Sequence, residues 1–301
     1  MKRRSFIQKS TATAAFVGLG GLSLSLSPNK RKHITILHTN DVHSHIEPFG
    51  PNDPRNPNMG GIARRATLVE KIRQENPNTL LLDAGDIFQG TPFFNFYGGE
   101  LEFKLMSKLK YDAATIGNHD FDNGIEGLYA QLPHAQFDFI SSNYDFRNTV
   151  MDGHTKQHHV FIKDGIKIGV FGLGIELKGL VNDHHYKETK YLDPIEIATD
   201  MARILKEEKK CELVICLSHL GYEYDSDKIS DIKLAAATTN IDLIIGGHTH
   251  TFLEKPHIAT NKTGKNVLIN QVGCFGLYLG RIDFYLDDAR NISAEGLQIS
   301  V

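Results

Sequence analysis

Short apolar runs that each end in a small cluster of Asp, Asn or His recur along this chain, and they constrain its fold more than any other feature. Residues 34–37, 79–82, 111–116, 213–217 and 241–245 are such runs. Runs of this length, bounded by Gly, Asn and Asp, read as buried strands. Between them lie segments with helical spacing, such as Ile62, Ala66, Val69 and Ile72 after Gly60-Gly61. Strand, polar turn and helix in alternation build a parallel sheet, whose chemistry gathers at the carboxyl ends of the strands.

The clusters at those ends carry metal-ligating groups. The first is His38-Thr39-Asn40-Asp41-Val42-His43, the second Asp83-Ala84-Gly85-Asp86, and the third Gly117-Asn118-His119-Asp120-Phe121-Asp122. Later strands end in Ser218-His219 and in Gly246-Gly247-His248-Thr249-His250. Asp41 and His43, two apart, are expected to share one face in extended backbone, and His248 and His250 repeat that spacing. Asp41, His43, Asp86, Asn118, His219, His248 and His250 suffice for two metal ions sharing one carboxylate. Oxygen and nitrogen donors without thiolate suit Mn, Zn, Co or Fe better than Ca²⁺ or Cu(I). Two such ions would hold a hydroxide between them and grip a phosphoryl group. His119 is then left over for proton transfer or charge stabilisation, with Asp122 orienting its ring.

The rest of the chain supports a second sheet. Residues 160–163 and 167–171 around Asp164-Gly165 read as a hairpin, and a helix is expected over 194–209 behind Asp193-Pro194. The segments 267–270, 277–286 and 294–299 alternate like antiparallel strands. His45, His154, His158, His159, His184 and His185 are expected in solvated loops, and Arg64-Arg65 on a solvated helix face. Cys211, Cys216 and Cys274 allow at most one disulfide and have no C-x-x-C spacing.

The beginning of the chain reads as an address. Lys2-Arg3-Arg4-Ser5-Phe6-Ile7 and the apolar, small-residue run over 11–27 predict a twin-arginine signal over 1–27, export by that route, and a periplasmic or cell-surface location. Residues 28–301 are then one catalytic domain, with no transmembrane segment in the mature chain. Losing Lys2, Arg3, Arg4 and Lys9 takes the formal charge from −3 to −7, which argues against a nucleic-acid polymer as partner.

The ordered blocks together resemble the calcineurin-like metallophosphoesterases. Gln89-Gly90-Thr91-Pro92, Phe121-Asp122 and the stretch from Leu217-Ser218-His219-Leu220-Gly221 to His250 resemble its 5′-nucleotidase / 2′,3′-cyclic-nucleotide phosphodiesterase branch. The resemblance implies a four-layer α/β/β/α sandwich. It implies one ion on Asp41, His43, Asp86 and His250, another on Asp86, Asn118, His219 and His248, and a catalytic dyad of His119 and Asp122. The substrate it implies is a small phosphate ester, first of all a nucleoside 5′-monophosphate cleaved to nucleoside and phosphate. A 2′,3′-cyclic phosphodiesterase or a related small-ester hydrolase is the alternative within enzymes, and a metal carrier without turnover is the alternative outside them. Bacterial members usually continue into a C-terminal nucleotide-binding domain, whereas this sequence stops at Val301. The expectation is that a separate chain supplies that half, or that the metal domain works alone.

Overall fold

The computed structural model describes residues 31–301, so the export signal expected over 1–27 lies outside the described residues. In chain order, β1 (Lys32–Thr39), α1 (Ile62–Glu75), β2 (Thr79–Asp83), α2 (Pro92–Tyr97), α3 (Glu100–Lys108), β3 (Ala113–Ala114), α4 (Gly124–Gln131) and β4 (Asp138–Phe139) form the first half. Then come β5 (Tyr144–Asp145), β6 (His158–Lys163), β7 (Ile166–Leu173), α5 (Asp183–Tyr186), β8 (Lys190–Tyr191), α6 (Pro194–Arg203), β9 (Leu213–Ser218), α7 (Asp231–Ala237), β10 (Leu243–Gly246), β11 (His257–Thr260), β12 (Asn266–Asn270), β13 (Tyr278–Leu286) and β14 (Ile292–Ser300). Two six-stranded sheets result, ordered β14-β13-β1-β2-β3-β4 and β11-β12-β10-β9-β7-β6.

Alternation along the strands sorts side chains into layers, since neighbouring residues point to opposite faces. Ile34, Ile36, Leu80 and Leu82 of the first sheet share one core with Ile168, Val170, Leu213, Ile215, Leu217, Leu243 and Ile245 of the second. One residue out of phase, Leu37 and Leu81 pack with Val69, Ile72, Phe103 and Leu128 from α1, α3 and α4. On the far side, Phe171, Val214, Cys216 and Ile244 pack with Ala198, Met201, Leu234 and Ala235 from α6 and α7. Helices therefore cover both outer faces and the sheets face each other, which is the expected α/β/β/α sandwich. Full burial of each Leu or Ile here stabilises the fold by roughly 1.5–3 kcal/mol.

Several local expectations change. The run over 111–116 contributes only Ala113–Ala114 as formal strand, although Asp112 N–H to Leu81 O (2.8 Å) and Thr115 N–H to Asp83 O (3.0 Å) flank it. The helix after Pro194 widens into a π-helical turn over Ile204–Glu208. β12 is antiparallel to β11 but parallel to β10, because the β11–β12 hairpin folds back and inserts its second strand beside β10. Alternation alone does not distinguish the two directions. The three cysteines are free, buried thiols. His158 and His159 lie on β6, and His184 and His185 on α5, rather than in loops. Among the described residues no helix is long and apolar enough to cross a membrane.

Candidate metal centre

The first sheet delivers its polar groups from the carboxyl ends of β1, β2 and β3. Asp41 (φ 49°), His43 (φ 49°) and Asp86 (φ 55°) all adopt left-handed backbone. Asp41 and His43 therefore converge through left-handed turns, not through the extended alternation the spacing suggested. Such a conformation costs a non-glycine residue about 1–2 kcal/mol, so neighbouring bonds must hold it. Asp41 N–H donates to Gly85 O (2.9 Å) and His43 N–H to Asp86 O (3.0 Å), tying the two loops together. Gly117 has no room for a side chain, since a Cβ there would collide with Asp86 Oδ1.

The second sheet delivers His219 after β9, and His248 (φ 72°) and His250 (φ 52°) after β10. The ligand atoms then sort into two groups. Asp41, His43 and His250 converge within 4.8 Å of one another, as do Asp86, His219 and His248. His248 and His250, two apart in sequence, thus serve different groups. Asn118 joins the second, its Oδ1 lying 2.8 Å from His248 Nδ1. The groups abut: His43 Nε2 is 3.9 Å from Asp86 Oδ2, and His219 Nε2 is 4.0 Å from Asp41 Oδ1.

The donor set fits divalent cations. His219 Nδ1 lies 2.7 Å from Ala84 O and His43 Nδ1 3.2 Å from Phe88 O, so each ring gives its Nδ1 proton to a carbonyl and turns Nε2 toward the carboxylates. His219 is fully buried, and its Nε2 has no hydrogen-bond partner among the described residues, although Asp86 Oδ2 stands 3.0 Å away. His43 Nε2 and His250 Nε2 face each other at 3.0 Å. Lone pairs brought this close repel unless a proton or a cation lies between them.

The electrostatics point the same way. Burial works to lower the His219 pKa, but the Asp86 carboxylate and then Asp41 outweigh it and lift the imidazole to about 10. Burial also works downward on His250, which Asp41 and Cys274 carry up to about 10. Burial pushes Asp86 upward, yet the charge of His219, and after it that of His43, holds it below the ordinary carboxylate range. Buried carboxylates here demand positive charge, which protonated imidazoles or divalent ions can supply.

His119 stands beside both groups. Its Nδ1 lies 2.8 Å from Asp122 Oδ2, and its ring is edge-on to His43 at 5.2 Å. The Asp122 hydrogen bond raises the His119 pKa above its ordinary value against the opposing effect of burial.

Residues not singled out in the sequence support this arrangement. Buried Asp120 accepts from the N–H groups of Asp86 (3.1 Å), Ile87 (2.9 Å), Phe88 (3.1 Å) and Gly117 (2.8 Å), fixing the β2 loop against the β3 loop. Asn40 Nδ2 donates to Asp41 Oδ2 at 2.6 Å. His45, expected in a solvated loop, is half-buried, stacks on Phe49 and lies tilted against Phe275, and burial lowers its pKa to about 4. Arg65, expected on a solvated face, is buried at 2% exposure.

The profile of the calcineurin-like phosphoesterase family matches residues 34–252, which include every candidate ligand named above. The chain belongs to this family. Among characterised relatives of the phosphoesterase, a snake venom 5′-nucleotidase of Crotalus adamanteus is 33% identical over 280 residues, covering 86% of this chain and 46% of that protein. The Homo sapiens 5′-nucleotidase is 33% identical over 290 residues, covering 86% and 47%. Among solved structures, the 5′-nucleotidase precursor of Thermus thermophilus superposes with a TM-score of 0.79 at 31% identity, covering 90% of this chain and 55% of that one. The chain spans about half the length of the curated relatives it matches.

Proposed function

We propose that this phosphoesterase hydrolyses nucleoside 5′-monophosphates to nucleoside and phosphate, with Asp41, His43, Asp86, Asn118, His219, His248 and His250 as metal ligands and His119–Asp122 as the catalytic dyad. The observation that carries this reading is the sorting of ligand atoms into two adjoining groups, with one oriented histidine beside them left uncommitted. When bound, two divalent ions would supply charge stabilisation at a phosphoryl group and lower the pKa of water to near neutrality. His43, His219 and their carbonyl partners would hold the ligand rings in one tautomer. Asp120 and Gly117 would keep the Asp86 carboxylate in place. With Nδ1–H committed to Asp122, His119 would present Nε2 to a phosphoryl oxygen or return a proton to the leaving alkoxide. The names of the relatives favour nucleotides over other esters.

The test is phosphate release from AMP beside an aryl phosphate monoester and diester, with Mn²⁺, Co²⁺ or Zn²⁺ supplied and His119→Ala as the blank. AMP should be the preferred substrate. Turnover of the aryl esters with AMP left untouched would sink the nucleotide assignment while keeping the chemistry, and would direct the search to a separate nucleotide-recognising chain.

We also propose twin-arginine export, supported by Arg3-Arg4 and the apolar run that follows. Replacing both arginines with lysine should hold the protein in the cytoplasm; unchanged fractionation would refute the route.

A further inference from the structure

Behind the loop that carries Asp41 and His43 lies a cavity of about 20 Å³, lined among others by Val42, Ser44, Arg65, Asp83, Glu102 and Tyr111. Val42 sits between two candidate ligands, so the cavity wall is the back of the metal loop. The loop is strained, with Asp41, His43 and Ser44 (φ 58°) all left-handed. Strain of this kind persists only where the surroundings over-determine it. Ser44 supplies part of that constraint. Its Oγ donates to Glu102 of α3, its carbonyl accepts from Thr91 Oγ1 (2.9 Å), and its N–H donates to Ile87 O (2.9 Å).

Two groups at this cavity are incompletely satisfied. Arg65 Nε and Glu102 Oε2 are buried without hydrogen-bond partners among the described residues, one a donor and the other an acceptor. A buried charge in that condition is costly. The Arg65 charge acts instead on Asp83 and Tyr111, which line the same cavity. The Arg65 guanidinium also reaches Gly276, where an added Cβ would stand 3.1 Å from Nη1. The neighbouring Phe275 N–H donates to Asp41 O at 2.7 Å. Arg65 thus lines the cavity under the loop and packs against the segment whose Phe275 holds Asp41.

We propose that Arg65 and Glu102 are positioning residues that hold loop 41–44 in the backbone conformation presenting Asp41 and His43 to a metal ion, Glu102 through Ser44 and Arg65 through the segment at Gly276. Neither residue touches substrate or metal. The inference rests on the metal reading of the centre and not on its substrate.

The experiment is equilibrium dialysis of the full chain with Mn²⁺, comparing wild type with Arg65→Met, Glu102→Ala, Glu102→Gln and Ser44→Ala. Loss of an outer partner of a metal ligand typically costs 10–100-fold in affinity. Arg65→Met and Glu102→Ala should weaken one of two bound equivalents by at least about tenfold and leave the other unchanged. Glu102→Gln, which keeps an acceptor for Ser44, should remain within about threefold. Two equivalents at wild-type affinity in folded variants would overturn the proposal, as would equal weakening of both, the mark of a merely structural role. Should the charge variants fail to fold, Ser44→Ala decides: it should weaken the same equivalent, and unchanged affinity refutes the idea. A wild type that binds no Mn²⁺ would overturn the metal reading itself, a result distinct from any of these.

Discussion

The two sheets of the sandwich contribute different chemistry to one centre. Strand ends of the first sheet provide both carboxylates and the amide, Asp41, Asp86 and Asn118, along with His43 and His119. Strand ends of the second provide only imidazoles, His219, His248 and His250. Each ligand group nevertheless draws on both sheets, since Asp41 and His43 meet His250, and Asp86 meets His219 and His248. Negative charge is thus concentrated on one layer, and the other contributes imidazoles alone. Neither layer alone offers a complete site, so docking of the two sheets and assembly of the centre are one event.

The sharpest way to break this division is to remove the carboxylate nearest both groups. Asp86 Oδ2 is 3.0 Å from His219 Nε2 and 3.9 Å from His43 Nε2, and Oδ1 accepts the His119 N–H at 2.7 Å. Asp86→Ala should lower activity by more than about a hundredfold, beyond the range typical of outer partners. It should also deplete both metals, as elemental analysis would show. Retention of two equivalents would mean that Asp86 does not join the groups.

His119→Ala tests the other side of the division, between groups that bind and a group that reacts. Losing a general acid typically costs 10²–10⁴-fold in rate. Metal content should stay at the wild-type level, because His119 belongs to neither ligand group. Depletion of metal in this variant would instead make His119 a ligand.

Removing metal tests how far the centre joins the sheets. Their shared core already holds them together, from Ile34 and Leu82 to Ile215 and Ile245. A ligand present at a hundredfold its Kd adds about 2.7 kcal/mol of stability. For a chain of this size chelation should lower Tm by about 5–10 °C, read by calorimetry with and without EDTA. An unchanged Tm would mean that the folded chain binds no chelatable metal in preference to the unfolded one.

The same contrast explains what was legible beforehand. Ligands at strand ends could be read because a polar side chain just after an apolar run has few other reasons to be there. Their direction could not. Asp41 and His43 reach the site through left-handed backbone, which residue spacing does not encode. Asp120 acts only as an acceptor for backbone N–H groups, and nothing in its spacing separates it from a surface Asp. Arg65 was readable in principle, since it falls on the stripe Ile62, Val69, Ile72 at the i+3 position, and Val69 and Ile72 are buried with it. A charge on an apolar stripe signals a buried role, which the exposed neighbour Arg64 masks in the sequence.

The smallest expected effect concerns the group outside both sheets' ligand sets. The Asp122 hydrogen bond raises the His119 pKa, so the imidazolium persists to higher pH than in a free histidine. Both side chains are about a third exposed, at 38% and 30%, so solvent screens the pair. If His119 delivers the proton to the leaving oxygen, activity falls as pH rises through its pKa. Asp122→Asn removes the charge that holds the proton on, and this alkaline limb should move to lower pH while metal content is unchanged. The shift is read from kcat/KM profiles on an aryl phosphate, whose recognition does not depend on a base. A limb that stays in place in Asp122→Asn but vanishes in His119→Ala would show that Asp122 orients the ring without tuning it. A limb that stays in place in both variants would assign the proton to another donor altogether.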